Sequence, residues 1–350
     1  MARCFLRCLL IVLAATPALA QDAAARTPPA GERFVLVAGG SFQMGDLWGD
    51  APWALPEAPP REVEVDDFLL ARYEVTVAEF ARFVDAAGYR TVAEDDGPEM
   101  ARRMRRRDPA FEDTGRYPYW RGHDFAQGPD HPVVMIAWED AIAYCNWLSR
   151  QERLPPAYET KSGRLLTADG RPTADVRRVA GYRLPTEAEW EFAARERGRR
   201  VRFGNGQDVA RSTEMNFDAA GTGRTVPSLR LPKGSLCPYA EPGIHRKATT
   251  PVGSFPPNAL GLYDMSGNAW EWCADTGGPS YPTEKRRNPC AQGGTTHVLR
   301  GGTHDTDARA CRASARIDWG ARSYCFGSGL RVARTVDARE DVRRREPAPP

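Results

Sequence analysis

Long apolar runs are missing from this 350-residue chain once its first twenty residues are passed. Nothing later approaches the roughly 20 apolar residues that a membrane-spanning helix needs, which argues against stable membrane insertion. An excess of one charge is missing too. The net charge is +2, and so even a balance gives no general reason to expect nucleic acid or a membrane surface as a partner. There is no Cys-x-x-Cys, and no Cys/His grouping has zinc-finger spacing, which argues against a structural zinc site. No Pro/Gly/Ser-rich linker divides the middle of the chain, and no tandem repeat of solenoid length occurs. One domain, rather than an array or a linked pair, follows from these absences.

What is present begins at the N-terminus. Arg3 and Arg7 precede an apolar run from Cys8 to Ala15, and Ala18 and Ala20 put small residues where signal peptidase reads them. Residues 1–20 are therefore expected to be a signal peptide, residues 21–32 a flexible leader rich in Ala, Pro and Gly, and the destination secreted or periplasmic. Cys4 and Cys8 leave with the signal. Cys145, Cys237, Cys273, Cys290, Cys311 and Cys325 remain, an even number in an oxidising compartment, which suggests disulfides and allows fifteen connectivities. The basic cluster Arg102, Arg103, Arg105, Arg106 and Arg107 reads as a solvated face first and an anion site second.

Periodicity gives a coarse map. Phe34–Val37 and Ser41–Met44 read as strands about a Gly39-Gly40 turn, and Val63, Val65, Phe68 and Leu70 as another strand. Thr76 with Glu79 forms a capping box that opens a helix closed by Gly88. A second helix runs from about Trp138 to Leu148. A third starts at Thr186, boxed with Glu189, and stops near Gly198. Residues 150–180 are hairpin or loop. Beyond residue 200 only His297–Arg300 and Gly329–Ala333 read as strands, and the last residues, 337–350, as a disordered tail. The fold class is α+β with little regular structure, over residues 33–336.

Irregular backbone leaves carbonyls without ladder partners, and calcium is one way to satisfy them. The segment from Asp264 to Glu271 could bring two carboxylates around such a turn. By spacing alone, a turn with a solvated Asp264 and a salt-bridged Glu271 is the favoured reading.

Several segments together resemble the formylglycine-generating-enzyme, or sulfatase-modifying-factor, family. They are Val37–Gly45, Tyr73–Thr76, His131–Val133 leading to Trp138–Ala141, Tyr182–Arg195, Asn258–Trp272, Leu299–Thr303 and Gly329–Ala333, in the family's order. The resemblance implies a C-type-lectin-like α+β domain steadied by calcium. It puts one calcium site at Asp264, Gly267, Ala269 and Glu271, with Gly267 and Ala269 acting through their carbonyls. A further site would begin at Asn216 and Phe217, although Ile244–Lys247 stands where its acidic ligand is expected. In members that make formylglycine, two cysteines five residues apart hold one Cu(I), and a substrate cysteine on a protein is oxidised by O2 to an aldehyde. Here Cys311 falls on the second cysteine and Thr306 on the first. A hydroxyl is a hard ligand and a poor partner for Cu(I). The catalytic set implied is Cys311, Thr306 and Thr303, with Trp270 packing the cleft wall.

Cys325 could supply a sulfur to Cys311, as a disulfide or in a metal pair, and Cys273 could bridge Cys290. Cys145 matches a helix cysteine that other members bridge to a position occupied here by Val332. His304, Asp305 and Asp307 share the loop, either lining an altered cleft or lying at the surface. The five histidines, His123, His131, His245, His297 and His304, do not form the His-x3-His-x-Glu motif of the family's iron-dependent sulfoxide synthases. A third branch, exported and serving siderophore (pyoverdine) maturation, also lacks the copper pair. Two functions follow: an exported O2-using oxidoreductase acting on a protein cysteine or another peptide or small substrate, or a non-catalytic module that binds a peptide, glycan or partner in the same cleft.

Overall fold

The computed structural model describes residues 33–50, 57, 59–97, 119–122, 125–221, 237–278 and 287–336. The expected signal peptide, leader and tail, the Arg102–Arg107 cluster and His123 lie outside these residues.

The first two strands form where expected. β1 (Phe34–Val37) pairs antiparallel with β4 (Phe68–Ala71), and β2 (Gly40–Met44) pairs with β3 (Arg61–Val65), placing Phe42 opposite Val63. The single strand read across Val63–Leu70 is therefore two strands in different sheets. The break falls at Asp66-Asp67. Asp67 accepts the Gly39 N–H at 2.7 Å and the Asp66 N–H donates to Asn288, so polar contacts to distant loops turn the chain.

Helix α1 (Val77–Ala87) has its reciprocal Thr76/Glu79 box and ends on Gly88 at φ 60°, a left-handed value suited to glycine. Its Phe80 and Phe83 enter an aromatic cluster with Trp120 and Tyr144. Helix α2 (Trp138–Gln151) starts without a capping side chain at Ala137. Asp140 accepts the Ala137 N–H instead, together with the Val92 N–H and the Tyr89 hydroxyl. Burial raises the Asp140 carboxyl to about 7.

Helix α3 (Glu187–Ala194) is short and buried on every side, although it carries three glutamates. Each is matched by a buried arginine: Glu189 by Arg183 in a bidentate pair at 2.6 and 2.7 Å, Glu187 by Arg316 and Arg300, and Glu191 by Arg195 and Arg300. It ends at Ala194 rather than near Gly198, and the Gly198 N–H folds back to the Phe192 carbonyl.

The central sheet has the order β7 (Arg316–Gly320), β6 (Thr296–Arg300), β5 (Trp270–Thr276), β8 (Ser328–Leu330), with β5 and β8 parallel. All of β5 is buried. The strand read as Gly329–Ala333 splits into β8 and β9 (Ala333–Thr335), which joins β4 in the three-stranded sheet. Arg331 lies between them with its side chain buried against Glu271, so the chain passes from one sheet to the other around an ion pair.

Candidate functional site

The loop after β6 starts with two left-handed glycines, Gly301 at φ 95° and Gly302 at φ 75°. A Cβ on Gly302 would stand 2.5 Å from the Cys311 sulfur, so glycine there makes room for the thiol. Thr306 is the loop's internal clasp. Its Oγ1 accepts the Thr303 N–H and donates to the Thr303 carbonyl, both at 3.0 Å, and lies 3.7 Å from Cys311 Sγ. The hydroxyl proton is committed to Thr303, which leaves the thiol as donor toward Thr306. Burial pushes the Cys311 thiol up to about 12. As it stands, Cys311 is a protonated, fully buried thiol rather than an exposed nucleophile.

The loop is tied down from the Asp264–Glu271 segment. The Thr303 hydroxyl and the His304 N–H both donate to the Asn268 carbonyl at 3.0 Å, and Ser266 Oγ donates to the Cys311 carbonyl at 2.7 Å. His304 is buried, with its ring 4.8 Å from that of Phe125. It belongs to the interior of the site, whereas Asp305 and Asp307 keep about a quarter of their side chains exposed, 23% and 26%. His245 lies between two carboxylates, its Nδ1 3.4 Å from Asp218 and its Nε2 3.2 Å from Asp305. The Asp218 N–H donates to the Thr306 carbonyl at 2.9 Å, so this Asp–His–Asp array abuts the Thr306/Cys311 centre.

The two segments expected to hold calcium touch each other. Asn216 bridges to Gly267, and its carbonyl accepts the Asn268 N–H at 2.8 Å, which puts the two predicted segments side by side. Phe217 is buried beside them. Asp264 adopts φ 56° and accepts the Gly253 N–H. Trp270, expected in the cleft wall, lies buried in the core at the start of β5. Glu271 is different from a vacant ligand: its oxygens accept from the Arg331 guanidinium and from the Trp190 indole at 2.7 Å. The residue that sequence reading did not assign is Glu74, whose carboxylate accepts from Asn268 Nδ2 and the Ala269 N–H. Burial, then Asp264 and Glu271, raise the Glu74 carboxyl well above the ordinary range; burial first raises Asp264 to about 6. Three carboxylates thus share one guanidinium.

Two observations test whether calcium fits. The buried Asn216 Oδ1 has no hydrogen-bond partner among the described residues, although its Nδ2 is fixed by Ala248 and Asn268. An oriented orphan oxygen on a side chain linked through the Asn268 amide to the Glu74 carboxylate suits a hard cation. Glu271, already neutralised by Arg331, does not suit the ligand role. Among the described residues no group of three or more His, Cys, Asp or Glu side chains converges as a metal site.

None of the six cysteines of the domain forms a disulfide. Cys311 and Cys325 pack in different clusters, as do Cys273 and Cys290, so neither suggested bridge is made.

A mixed fold with few helices, whose glycine-hinged loop carries a buried thiol and is pinned to an acidic turn, defines a sulfatase-modifying-factor-like protein. The Sulfatase-modifying factor enzyme 1-like domain matches residues 20–336, and the chain belongs to the formylglycine-generating-enzyme family. It is 31% identical to the formylglycine-generating enzyme of Streptomyces coelicolor, with 93% of this chain and 97% of that protein covered. It is also 32% identical to the inactive C-alpha-formylglycine-generating enzyme 2 of Mus musculus, covering 71% and 70%. Among solved structures, PvdO from Pseudomonas aeruginosa is similar at 25% identity with a TM-score of 0.58, covering 87% of this chain and 94% of that one. No helix among the described residues is long and apolar enough to cross a membrane.

Proposed function

We propose that this protein is an exported, O2-dependent oxidoreductase that acts on a thiol in a peptide or protein substrate. The observation that carries the reading is the Thr303–Thr306–Cys311 clasp: a thiol held in a sealed loop whose backbone is pinned at both ends to the Asn268 turn. Formylglycine-generating relatives at about 30% identity support the reaction class. The basic, apolar and small-residue pattern of residues 1–20 supports export.

Within this reading Cys311 is the redox residue. Thr306 receives its proton-bearing bond, Thr303 fixes the loop, and His304 and the Asp218–His245–Asp305 array supply proton-exchanging groups beside it. Calcium, held through Asn216 Oδ1 with the Phe217 carbonyl and the carboxylates of Asp264 and Glu74, would balance charge and fix the turn without entering the reaction. Copper would supply O2 activation, and Cys311 is the soft donor to hold it.

A second reading is favoured by Thr306 itself. A hard hydroxyl replaces the first loop thiol, and a relative named as inactive is 32% identical over 71% of this chain. That reading makes the domain a binding module. Oxygen uptake with thiol-containing peptides decides between them. The expected result is uptake by the wild-type protein and its loss, by at least about 100-fold, in Cys311→Ser, as when a residue essential to the transition state is removed. Equal uptake by the two proteins, or none by either, sinks the oxidoreductase reading.

A further inference from the structure

The missing second sulfur does not have to come from the loop. Cys311 packs in a small buried cluster built from residues far apart in sequence, and that cluster also holds Cys237 and Met215, walled by Phe203 and Phe217. Three of the side chains in this sealed patch end in or contain sulfur. Cys237 is brought there by the segment that follows it: the Ala210 N–H donates to the Tyr239 carbonyl at 2.9 Å, and the Glu241 N–H to the Ala210 carbonyl. Asp307 and Arg309, on the Cys311 loop, are among the charges felt by the Cys237 thiol. The Cys237 thiol in turn is among the groups that raise Cys311. Cys325 by contrast packs on the main core.

We propose that Cys237 and Cys311 form a two-thiolate site for one monovalent copper ion, with the Met215 thioether as an auxiliary soft donor. The chemistry follows from the donors. Thiolate and thioether sulfur favour Cu(I), an ion content with two or three ligands in a dry pocket. Each thiol gives its proton to solvent as its sulfur takes the metal. Copper remains monovalent, so no oxidant or reductant is consumed. The copper bis-thiolate carries one net negative charge, and Arg309, ion-paired with Asp307 on the same loop, is a cation within electrostatic reach of Cys237. The Gly302 cradle keeps the Cys311 sulfur clear of a side chain on its loop side. This inference rests on the reading of Cys311 as the reactive centre and names what completes it.

The test is Cu(I) binding to the reduced, full-length exported protein, in anaerobic competition with a chromophoric Cu(I) chelator, joined to copper-edge X-ray absorption. Wild type should take one equivalent with two or three sulfur neighbours. Cys237→Ser and Cys311→Ser should each weaken binding beyond the roughly 10–100-fold that loss of an outer-shell partner costs. Met215→Leu should weaken it less, and Cys325→Ser should leave it unchanged. Wild-type affinity in Cys237→Ser, or a single sulfur in the wild-type spectrum, overturns the proposal. So does a Cys237–Cys311 disulfide that keeps the protein from binding copper after mild reduction. If the serine variant fails to fold, Cys237→Met, which keeps a soft donor, and the wild-type sulfur count decide. Copper bound at both sulfurs without O2 uptake on thiol peptides defeats the proposed function but not this site. Unchanged uptake in Cys237→Ser defeats this site but not that function.

Discussion

Two buried polar regions meet at β5, where Trp190 of α3 donates to Glu271, and they are built on opposite principles. Around helix α3 the charges are matched: Arg183 with Glu189, Arg300 with Glu187 and Glu191, and Arg316 with Glu187. At the joint of Asn216, Asp264–Glu271 and the Cys311 loop they are not matched. Glu74, Asp264 and Glu271 share Arg331, Asn216 Oδ1 is left over, and a thiol is desolvated. A matched interior has its charges neutralised within the polypeptide. An unmatched one costs stability unless something else arrives, which is why the second region, and not the more heavily charged first, is where ligands belong.

The comparison is broken most violently by removing one partner of a matched pair. Arg183→Met leaves Glu189 as a buried carboxylate with only the Thr186 N–H to receive, and should cost about 3–5 kcal/mol in urea unfolding. Adding Glu189→Gln should return a substantial part, because the amide oxygen can still cap the helix. If the double variant is no more stable than the single one, the pair is not what organises α3.

A smaller effect sharpens the other side. If calcium satisfies the unmatched joint, chelation should lower the melting temperature. The stabilisation is about 2.7 kcal/mol when calcium stands at 100 times its Kd. Asn216→Ala should melt alike with and without chelator. A wild-type midpoint indifferent to chelation counts against a cation there.

The same contrast explains what could be read in the sequence. The α1 box and its Gly88 stop were legible because cap, period and terminator are neighbours in the chain. Thr303, Thr306 and Cys311 were named only through the family resemblance, and the loop places them within reach of one another. Glu74 was not, since its partners Asn268 and Ala269 stand 194 and 195 positions away. Strand β5 hid because it is buried on both faces and mixes tryptophans with paired acids, so no alternation marks it. The break between β8 and β9 depends on Arg331 meeting Glu271, a contact that periodicity does not contain. Cys325 drew attention to itself as the nearest later cysteine, whereas Cys237 joins the cluster of Cys311 through a segment held by the pairing of Ala210 with Tyr239 and Glu241.

The smallest predicted effect separates the two regions by pH. Asp264 titrates near 6 in the folded protein, raised chiefly by burial, against about 4 when unfolded. Between those values the native state holds a proton that the unfolded chain has released. The stability contributed by this group is therefore fully present below about pH 4 and is lost as pH rises through 6. Glu74, raised for the same main reason, adds to the fall in the same direction. Since the two carboxyls and Arg331 titrate as a coupled set, the part lost with Asp264→Asn is about 1–2 kcal/mol, read from urea unfolding of chelated protein across this range. Saturating calcium should flatten the wild-type slope, because a cation favours the ionised carboxylates. A slope unchanged by both Asp264→Asn and calcium would place the titrating charge elsewhere, and Asp140 and Asp275, each raised to about 7 by burial, are the next groups to replace.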